Sequence, residues 1–243
     1  EFEQPYLYLA LSAEHGYPLE SGAMLMTTAP APGTDTGPGS AGPGGGGLAV
    51  PVRAFGEHVV EEHVAHSNAL HSHFDGQPYV VGPLARYSLH SASLAPLARE
   101  AAGAGGLDAT CRNPFRSIIV RTVELIHALD EAIRIIDGWH GAPLAAVDVP
   151  ARSGEGHGAT EAPRGLLYHR YRIDESGTIL AAQIVPPTAQ NQPAIEGDLR
   201  AFVQDNLHLS HEELTRQCEV AIRTYDPCIS CATHFLDLDI EHL

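Results

Sequence analysis

The segment NPFRSIIVRTVELIHALDEAIRIIDG, residues 113–138, constrains the fold of this chain more than any other. Asn113 offers a side-chain oxygen that can cap a helix, and Pro114 suits the first helical position, where its missing N–H is not needed. Ile119, Val123, Ile126, Leu129 and Ile133 recur every three or four residues and draw one apolar stripe. Ile118, Leu125 and Ile136 widen it, and Gly138 can end the helix. So broad an apolar surface needs cover on several sides. The helix is therefore expected to lie deep within a bundle.

A chain of 243 residues has room for such a bundle, as one large domain or two small ones. Its clearest internal break is APAPGTDTGPGSAGPGGGG, residues 29–47. Glycine, proline and small polar residues bury too little apolar surface to offset the entropy of ordering them. The stretch reads as a flexible surface loop within one domain spanning 1–243, because the 28 residues before it are too few for a domain of their own. Residue 1 is Glu and opens directly into the dense apolar run EFEQPYLYLALS. That run suits the middle of a domain, so the expectation is a piece of a longer chain. A net charge of −16 argues against nucleic acid or an anionic membrane as the main partner. No apolar run of about 18 residues suggests a membrane span, and no signal peptide is visible.

The rest of the chain suggests an α+β fold, mainly a helical bundle with a small antiparallel β-hairpin or sheet. Residues 53–74 look mixed and helical. They include EEHVAHSNALHSHF, whose histidines are interrupted by Ser, Asn and Phe, so it reads as a helix with polar contacts rather than a metal-binding tract. Gly82-Pro83 reads as a turn. Leu94–Gly106 is Ala-rich and helical, ending in glycines. LLYHRYRID and TILAAQIV, joined by Glu175-Ser176-Gly177, form a hairpin pattern. Ser210 and Glu213 make a capping box, after which Leu214, Cys218 and Ile222 share a helix face. Pro227 ends that helix, which leaves Cys228 and Cys231 in a turn just beyond it.

Three stretches carry chemistry. In YDPCISCATH, two thiolates separated by two residues can grip one soft metal such as Zn, Fe or Ni, and His234 can join them or bind a neighbouring ion. Zinc would need about four ligands, and the other cysteines, Cys111 and Cys218, stand alone in sequence. A redox pair is less suited, because a reactive thiol gains from a helix N-terminus and this pair follows a C-terminus. A reduced, metal-free pair is the remaining alternative. Four cysteines in a chain this long fit a reduced, cytosolic setting better than a disulfide framework. In GEGHGATEAPRGLLYHR, Gly154, Gly156 and Gly158 allow a tight backbone, with no strand before them and a hairpin after them, so they do not make a dinucleotide fingerprint. Arg164, held between a proline and a strand, can aim a guanidinium at an anionic site or pair with a surface carboxylate. In IVPPTAQNQ, Pro186-Pro187 stiffen the end of a strand and Thr188 offers a hydroxyl.

Together, DPCxxCxxH, EAPRG before a hairpin and PPT after it resemble the large subunit of nickel–iron hydrogenases, and RNPFRSI and VGPLAR fit the same family. The pattern is most similar to the cytoplasmic, bidirectional, multi-subunit group and covers nearly the whole chain apart from the glycine-rich loop. The resemblance implies a large-subunit-like fold and reversible heterolytic cleavage of H2. It implies a Ni–Fe centre with carbonyl and cyanide ligands, and a Mg or Fe ion near the C-terminus. Cys228 matches a terminal nickel thiolate and proton acceptor, and Cys231 a thiolate bridging the two metals. His234 matches a ligand of the separate ion. Arg164 matches an arginine over the open side of the centre that can help take the proton. Pro187 and Thr188, with the Arg164 region, match the pocket for the cyanide and carbonyl ligands. The implied partners are an Fe–S small subunit, NAD(P)-linked diaphorase subunits and a maturation endopeptidase. The family's second cysteine pair, in an N-terminal RxCGxCxxxH motif, has no match here, nor does the glutamate of its proton exit path. The chain thus reads as the C-terminal half of a large subunit that needs an N-terminal half. The alternative is a zinc-binding or metal-free structural fragment. FLDLDIEHL after His234 matches the tail that such an endopeptidase removes.

Overall fold

The computed structural model describes residues 2–12, 16–18, 23–28, 48–141 and 144–228. The glycine-rich stretch 29–47, Cys231, His234 and the tail after it lie outside the described residues. Strand β1 (Leu7–Ser12) pairs antiparallel with β2 (Ala23–Thr28), which pairs antiparallel with β3 (Leu48–Val50). The 29–47 stretch therefore joins neighbouring strands of one sheet.

Successive side chains of a strand point to opposite faces. In β1 both faces are covered: Tyr8 and Ala10 belong to one core cluster, Leu9 and Leu11 to another. This explains the unbroken apolar run YLALS, which lacks the alternation of a half-exposed strand. Val80 and Val81 divide in the same way, and Val80 exchanges backbone hydrogen bonds with Leu7 and Leu9. The first cluster is helical, built from Leu84, Leu89, Ala98, Val120 and Val123 among others. The second joins sheets through Met24, Phe55, Tyr79, Leu166, Tyr168 and Val185, with the Phe55 and Tyr168 rings stacked at 4.0 Å.

Residues 53–74 depart from the helical expectation. A 3-10 turn and the single-turn helix α1 (Phe55–His58) lead into a hairpin of β4 (Val59–Glu62) and β5 (His71–Phe74). The sequence signal was weak because β4 buries Val59 and exposes Val60. Gly82-Pro83 is not a free-standing turn either: Pro83 opens helix α2 (Pro83–His90) at its first position. Helix α3 (Pro96–Ala104) ends in glycines as expected, with Gly106 at φ +67°.

Asn113 accepts a hydrogen bond from the Phe115 amide and caps the 3-10 turn that leads into helix α4 (Ser117–Asp137). Its first half packs through Val120, Val123 and His127, with Ile119 and Ile126 partly buried beside them, so of the expected stripe Val123 is buried outright. Its second half does not. Leu129 is nearly 60% exposed, Ile133 is 60% exposed and Ile136 is 71% exposed, and Ile118 and Leu125 earlier on the helix are nearly 60% exposed too. Deep burial of α4 is therefore not achieved among the described residues.

Strands β6 (Gly154–Ala162), β7 (Gly165–Ile173) and β8 (Ile179–Val185) form an antiparallel sheet. The predicted β7–β8 hairpin is there, but the spaced glycines are a strand rather than a tight loop, and they pair with β7 along their whole length. Helix α5 (Pro187–Asp205) follows, so PPT is a helix start and not a turn: Pro186 caps it and Pro187 takes its first position. In helix α6 (His211–Arg223) the Ser210 hydroxyl accepts from the Glu213 amide, while the Glu213 carboxylate turns to Arg216 and Gln217, so the box is half made. The fold is α+β, its helices accompanied among the described residues by three small antiparallel sheets.

Candidate active site

Helix α6 ends four residues before Pro227, and the intervening turn leads into Cys228. Thr224 and Tyr225 close onto Ala221 and Ile222, and Asp226 then takes φ +52°. Aspartate is one of the few side chains that visits this left-handed region readily. The turn is fixed from three sides. The Ser117 hydroxyl of α4 donates to the Thr224 carbonyl. The Tyr225 hydroxyl donates to the Asp198 carboxylate of α5, which Tyr6 also reaches, and the two phenol oxygens lie 2.8 Å apart. Burial raises the Asp198 pKa to about 6, against the lowering effect of the Tyr6 hydrogen bond.

Arg164 makes the third attachment. It occupies the turn between β6 and β7, and its Nε donates to the Asp226 carbonyl at 2.7 Å and lies 3.4 Å from the carboxylate. Arg121 of α4 approaches the same carboxylate at 3.8 Å. Two guanidinium groups thus flank the residue two positions ahead of Cys228, which is itself half-buried.

The Arg164 turn is held in turn by a buried ionic network. Arg86, in the first half of α2, grips Glu124 of α4 with two bonds of 2.7 Å and Glu161 of β6 with one of 2.9 Å. It also donates to the Ala162 and Pro163 carbonyls, at 2.9 and 3.1 Å, and so holds the backbone just before Arg164. Glu161 accepts the Leu11 amide at 2.9 Å, and Tyr17 donates to Glu124 at 2.6 Å. Burial alone would lower the Arg86 pKa, but the Glu124 and Glu161 carboxylates override it and raise it. Burial pushes Glu161 up, with Arg86 pulling the other way. Burial and Glu124 together raise Tyr17.

Close backbone contact completes the support. Gly82 stands at φ +95° and Gly165 at φ +138°, against one another. A Cβ at Gly82 would lie 2.4 Å from the Arg164 carbonyl oxygen, and one at Gly165 would lie 2.5 Å from Val81 Cγ2. Only glycine allows VGPLAR to meet the EAPRG turn this closely. The start of α5 packs beside them. The Val81 amide donates to Asn191 Oδ1 at 2.8 Å, and Gln190 Nε2 donates to the Leu166 carbonyl at 2.6 Å.

The structure thus brings Arg164 to the turn that bears Cys228. Pro187 and Thr188 are buried in the first turn of α5. Thr188 does not line the hollow that contains Arg164, Arg121, Thr224 and Tyr225; Asn191, one helical turn on, lines it instead. The sequence reading assigned no role to Arg86, Glu124, Gln190, Asn191 or Asp226. Arg86 was within reach, because an arginine inside an apolar helix start needs a buried partner. Glu124 gave no such signal on a helix already rich in charge.

Residues 53–234 match the family model for nickel-dependent hydrogenase. Sulfhydrogenase 1 subunit alpha of Pyrococcus furiosus is 31% identical over 192 residues, covering 77% of this chain and 44% of that protein. The NAD-reducing hydrogenase HoxS subunit beta of Cupriavidus necator is 37% identical over 166 residues, covering 64% of this chain and 34% of its own. Among solved structures, an NAD+-reducing NiFe hydrogenase in its H2-reduced state superposes with a TM-score of 0.74 at 21% identity, over 96% of this chain and 51% of that one. The NiFeSe hydrogenase of Desulfovibrio vulgaris Hildenborough gives a TM-score of 0.56 at 18% identity, over 95% and 53%. The chain spans less than half the length of these curated relatives.

Proposed function

The chain belongs to the nickel-dependent hydrogenase family, and from that premise we propose that it supplies the C-terminal half of a catalytic subunit interconverting H2 with protons and electrons. The observation that carries this reading is the bond from Arg164 to Asp226, which sets a fixed cation beside the turn leading to Cys228. On this reading residues 1–243 are the C-terminal part of one large-subunit domain.

The donor set fits a soft bimetallic centre. Thiolates bind nickel and iron readily, and Cys228 stands half-buried on a turn pinned from α4, α5 and the β6–β7 turn. The Cys228 and Cys231 thiolates would hold the nickel and iron, and His234 would hold a Mg or Fe ion. The remaining nickel thiolates would come from the other half of the subunit. The pocket for the carbonyl and cyanide ligands would be built from Arg164 and from the first turn of α5, which carries Pro187 and Thr188, since buried cyanides need hydrogen-bond donors. When bound, the centre supplies the redox chemistry of H2 ⇌ 2 H+ + 2 e−.

This chain's own residues handle charge and protons. A guanidinium stays protonated in proteins. Arg164 is therefore assigned as a positioned positive charge and donor, and the Cys228 sulfur as the atom that takes the first proton. Arg86 positions Arg164 through the Ala162 and Pro163 carbonyls. The two electrons need an acceptor, which supports an Fe–S small subunit, and the NAD-reducing relative supports diaphorase subunits beyond it. A maturation endopeptidase acting after His234 and a cytoplasmic site complete the proposal. Among the described residues, no helix is long and apolar enough to cross a membrane.

The test is metal analysis with infrared spectroscopy on the chain purified with its native partners. Nickel and iron with metal-bound carbonyl and cyanide stretches are expected. Zinc alone, or no metal and no such stretches, would overturn the proposal in favour of a structural fragment.

A further inference from the structure

The histidine-rich stretch 61–74 does not form the helix its composition suggested, and the hairpin to which it belongs brings two of its imidazoles to one acidic group. His71 opens β5, whose face packs against α5, and only 5% of it remains exposed. His66 lies in the loop between β4 and β5. That loop is shaped by the Ser67 hydroxyl, which donates to the Ala69 carbonyl. Both residues meet Glu196, on the third turn of α5. His66 Nε2 is 3.1 Å from Glu196 Oε1 and His71 Nε2 is 3.2 Å from the same oxygen. All three ligand atoms lie within 4.8 Å of one another.

We propose that His66, His71 and Glu196 form a binding site for a divalent transition-metal ion of the Zn2+ class, separate from the cysteine site. Two observations carry it. The first is spacing. Ligands about 2.0–2.2 Å from a tetrahedral zinc are about 3.3 Å from one another. The two His–Glu distances are close to that edge. The second is the state of His71. Its Nε2 is buried and close to the carboxylate, yet it makes no hydrogen bond there, because the approach is not at a bonding angle. A buried imidazole nitrogen left without a partner is costly. An ion held among the three atoms would give it one.

The ligand chemistry points the same way. Two imidazoles with one carboxylate suit zinc or a neighbouring divalent metal, with water in the fourth position, and do not suit Mg2+ or Ca2+, which prefer all-oxygen shells. Gln192 Nε2, 3.5 Å from Glu196 Oε1, orients the carboxylate from one turn earlier on α5. His66 is mostly exposed, which leaves the ion a route in from solvent. Bound there, the ion clips the β4–β5 loop to α5, the helix whose first turn carries Pro187 and Thr188. The site depends on none of the cysteines.

The experiment uses the chain purified in its native complex, stripped with a mild chelator and titrated with Co2+ as a visible probe. Zinc is counted in the untreated protein. The wild type should hold one equivalent of zinc-class metal beyond any nickel, iron and magnesium, and should show the absorption bands of low-symmetry cobalt. Loss of an outer partner of a metal ligand weakens binding about 10–100-fold. Loss of a ligand should do at least that, so His66→Ala and Glu196→Gln should abolish the bands while nickel and iron are unchanged. His66 is the safer variant, since its side chain is exposed and its loss leaves the core intact. An unchanged cobalt spectrum in both variants, or a wild type with no such equivalent, would overturn the proposal. Absence of nickel and iron bears only on the cysteine site and would show in the same metal count.

Discussion

Replacing Arg86 with methionine removes the cation at the centre of the buried network while nearly preserving its apolar stem. The side chains of Arg86, Glu124 and Glu161 are 4%, 14% and 0% exposed. The variant loses two bonds to Glu124, one to Glu161 and two to the Ala162 and Pro163 carbonyls. Breaking a buried pair by removing one partner costs about 3–5 kcal/mol, because the other charge stays behind. Glu161 can escape part of that cost by taking a proton. Its pKa is already raised from 4.5 by burial, and loss of Arg86 raises it further. A carboxyl with a raised folded pKa stabilises the fold below its unfolded value, and that contribution is lost as pH rises through the folded value. The deficit of the variant should therefore be smallest in acid and grow toward neutrality, by up to about 1.4 kcal/mol per pH unit. Denaturant unfolding of the assembled protein at several pH values measures it. Arg86→Met with Glu161→Gln should recover part of the loss at neutral pH. A deficit below about 1 kcal/mol, the worth of one ordinary hydrogen bond, or one that does not vary with pH, would refute the reasoning.

Arg164→Lys keeps the charge but not the geometry of the bond to Asp226; H2 turnover should fall by about 10²–10³, as for loss of one transition-state donor, with nickel and iron content unchanged, and wild-type turnover would remove Arg164 from the site. Gly82→Ala sets a Cβ 2.4 Å from the Arg164 carbonyl at φ +95°; overpacking and left-handed strain should each cost about 1–3 kcal/mol in unfolding experiments. Gly56→Ala, with open space around it, is the matched control and should be close to neutral. Ile133→Glu on the exposed face of α4 should leave the fold of this chain within about 0.5 kcal/mol, yet weaken co-purification with the rest of the large subunit at least tenfold, a loss of about 1.4 kcal/mol.

Local chemistry made some elements readable. The Asn113 and Ser210 caps, the Gly-containing β7–β8 turn and the glycines after α3 all specify backbone conformation within a few residues, and the structure keeps them. The unreadable parts depend on partners distant in sequence. Strand β6 has glycine at alternate positions, so it has no apolar period, and its register comes from β7. The 59–74 hairpin exposes Val60 and buries His71 and Ser72, which inverts the usual pattern. Arg164 and Cys228 could be singled out as chemical groups. The cation that positions Arg164 is 78 residues earlier in sequence, and only folding reveals it.

The bare second half of α4 sets a condition on how this polypeptide can exist in a cell. A solvent-facing row from Leu125 to Ile136, continued by Trp139 at 65% exposure, costs free energy for as long as water covers it. Whatever buries that row lowers the free energy of this chain, so its stability becomes a function of the concentration of what covers it. Made in excess, the chain would be a client of chaperones and proteases rather than a spare part. On the proposed assignment, in which a second half of the subunit is that cover, matched synthesis of the two halves would matter as much to the yield of enzyme as the supply of metal.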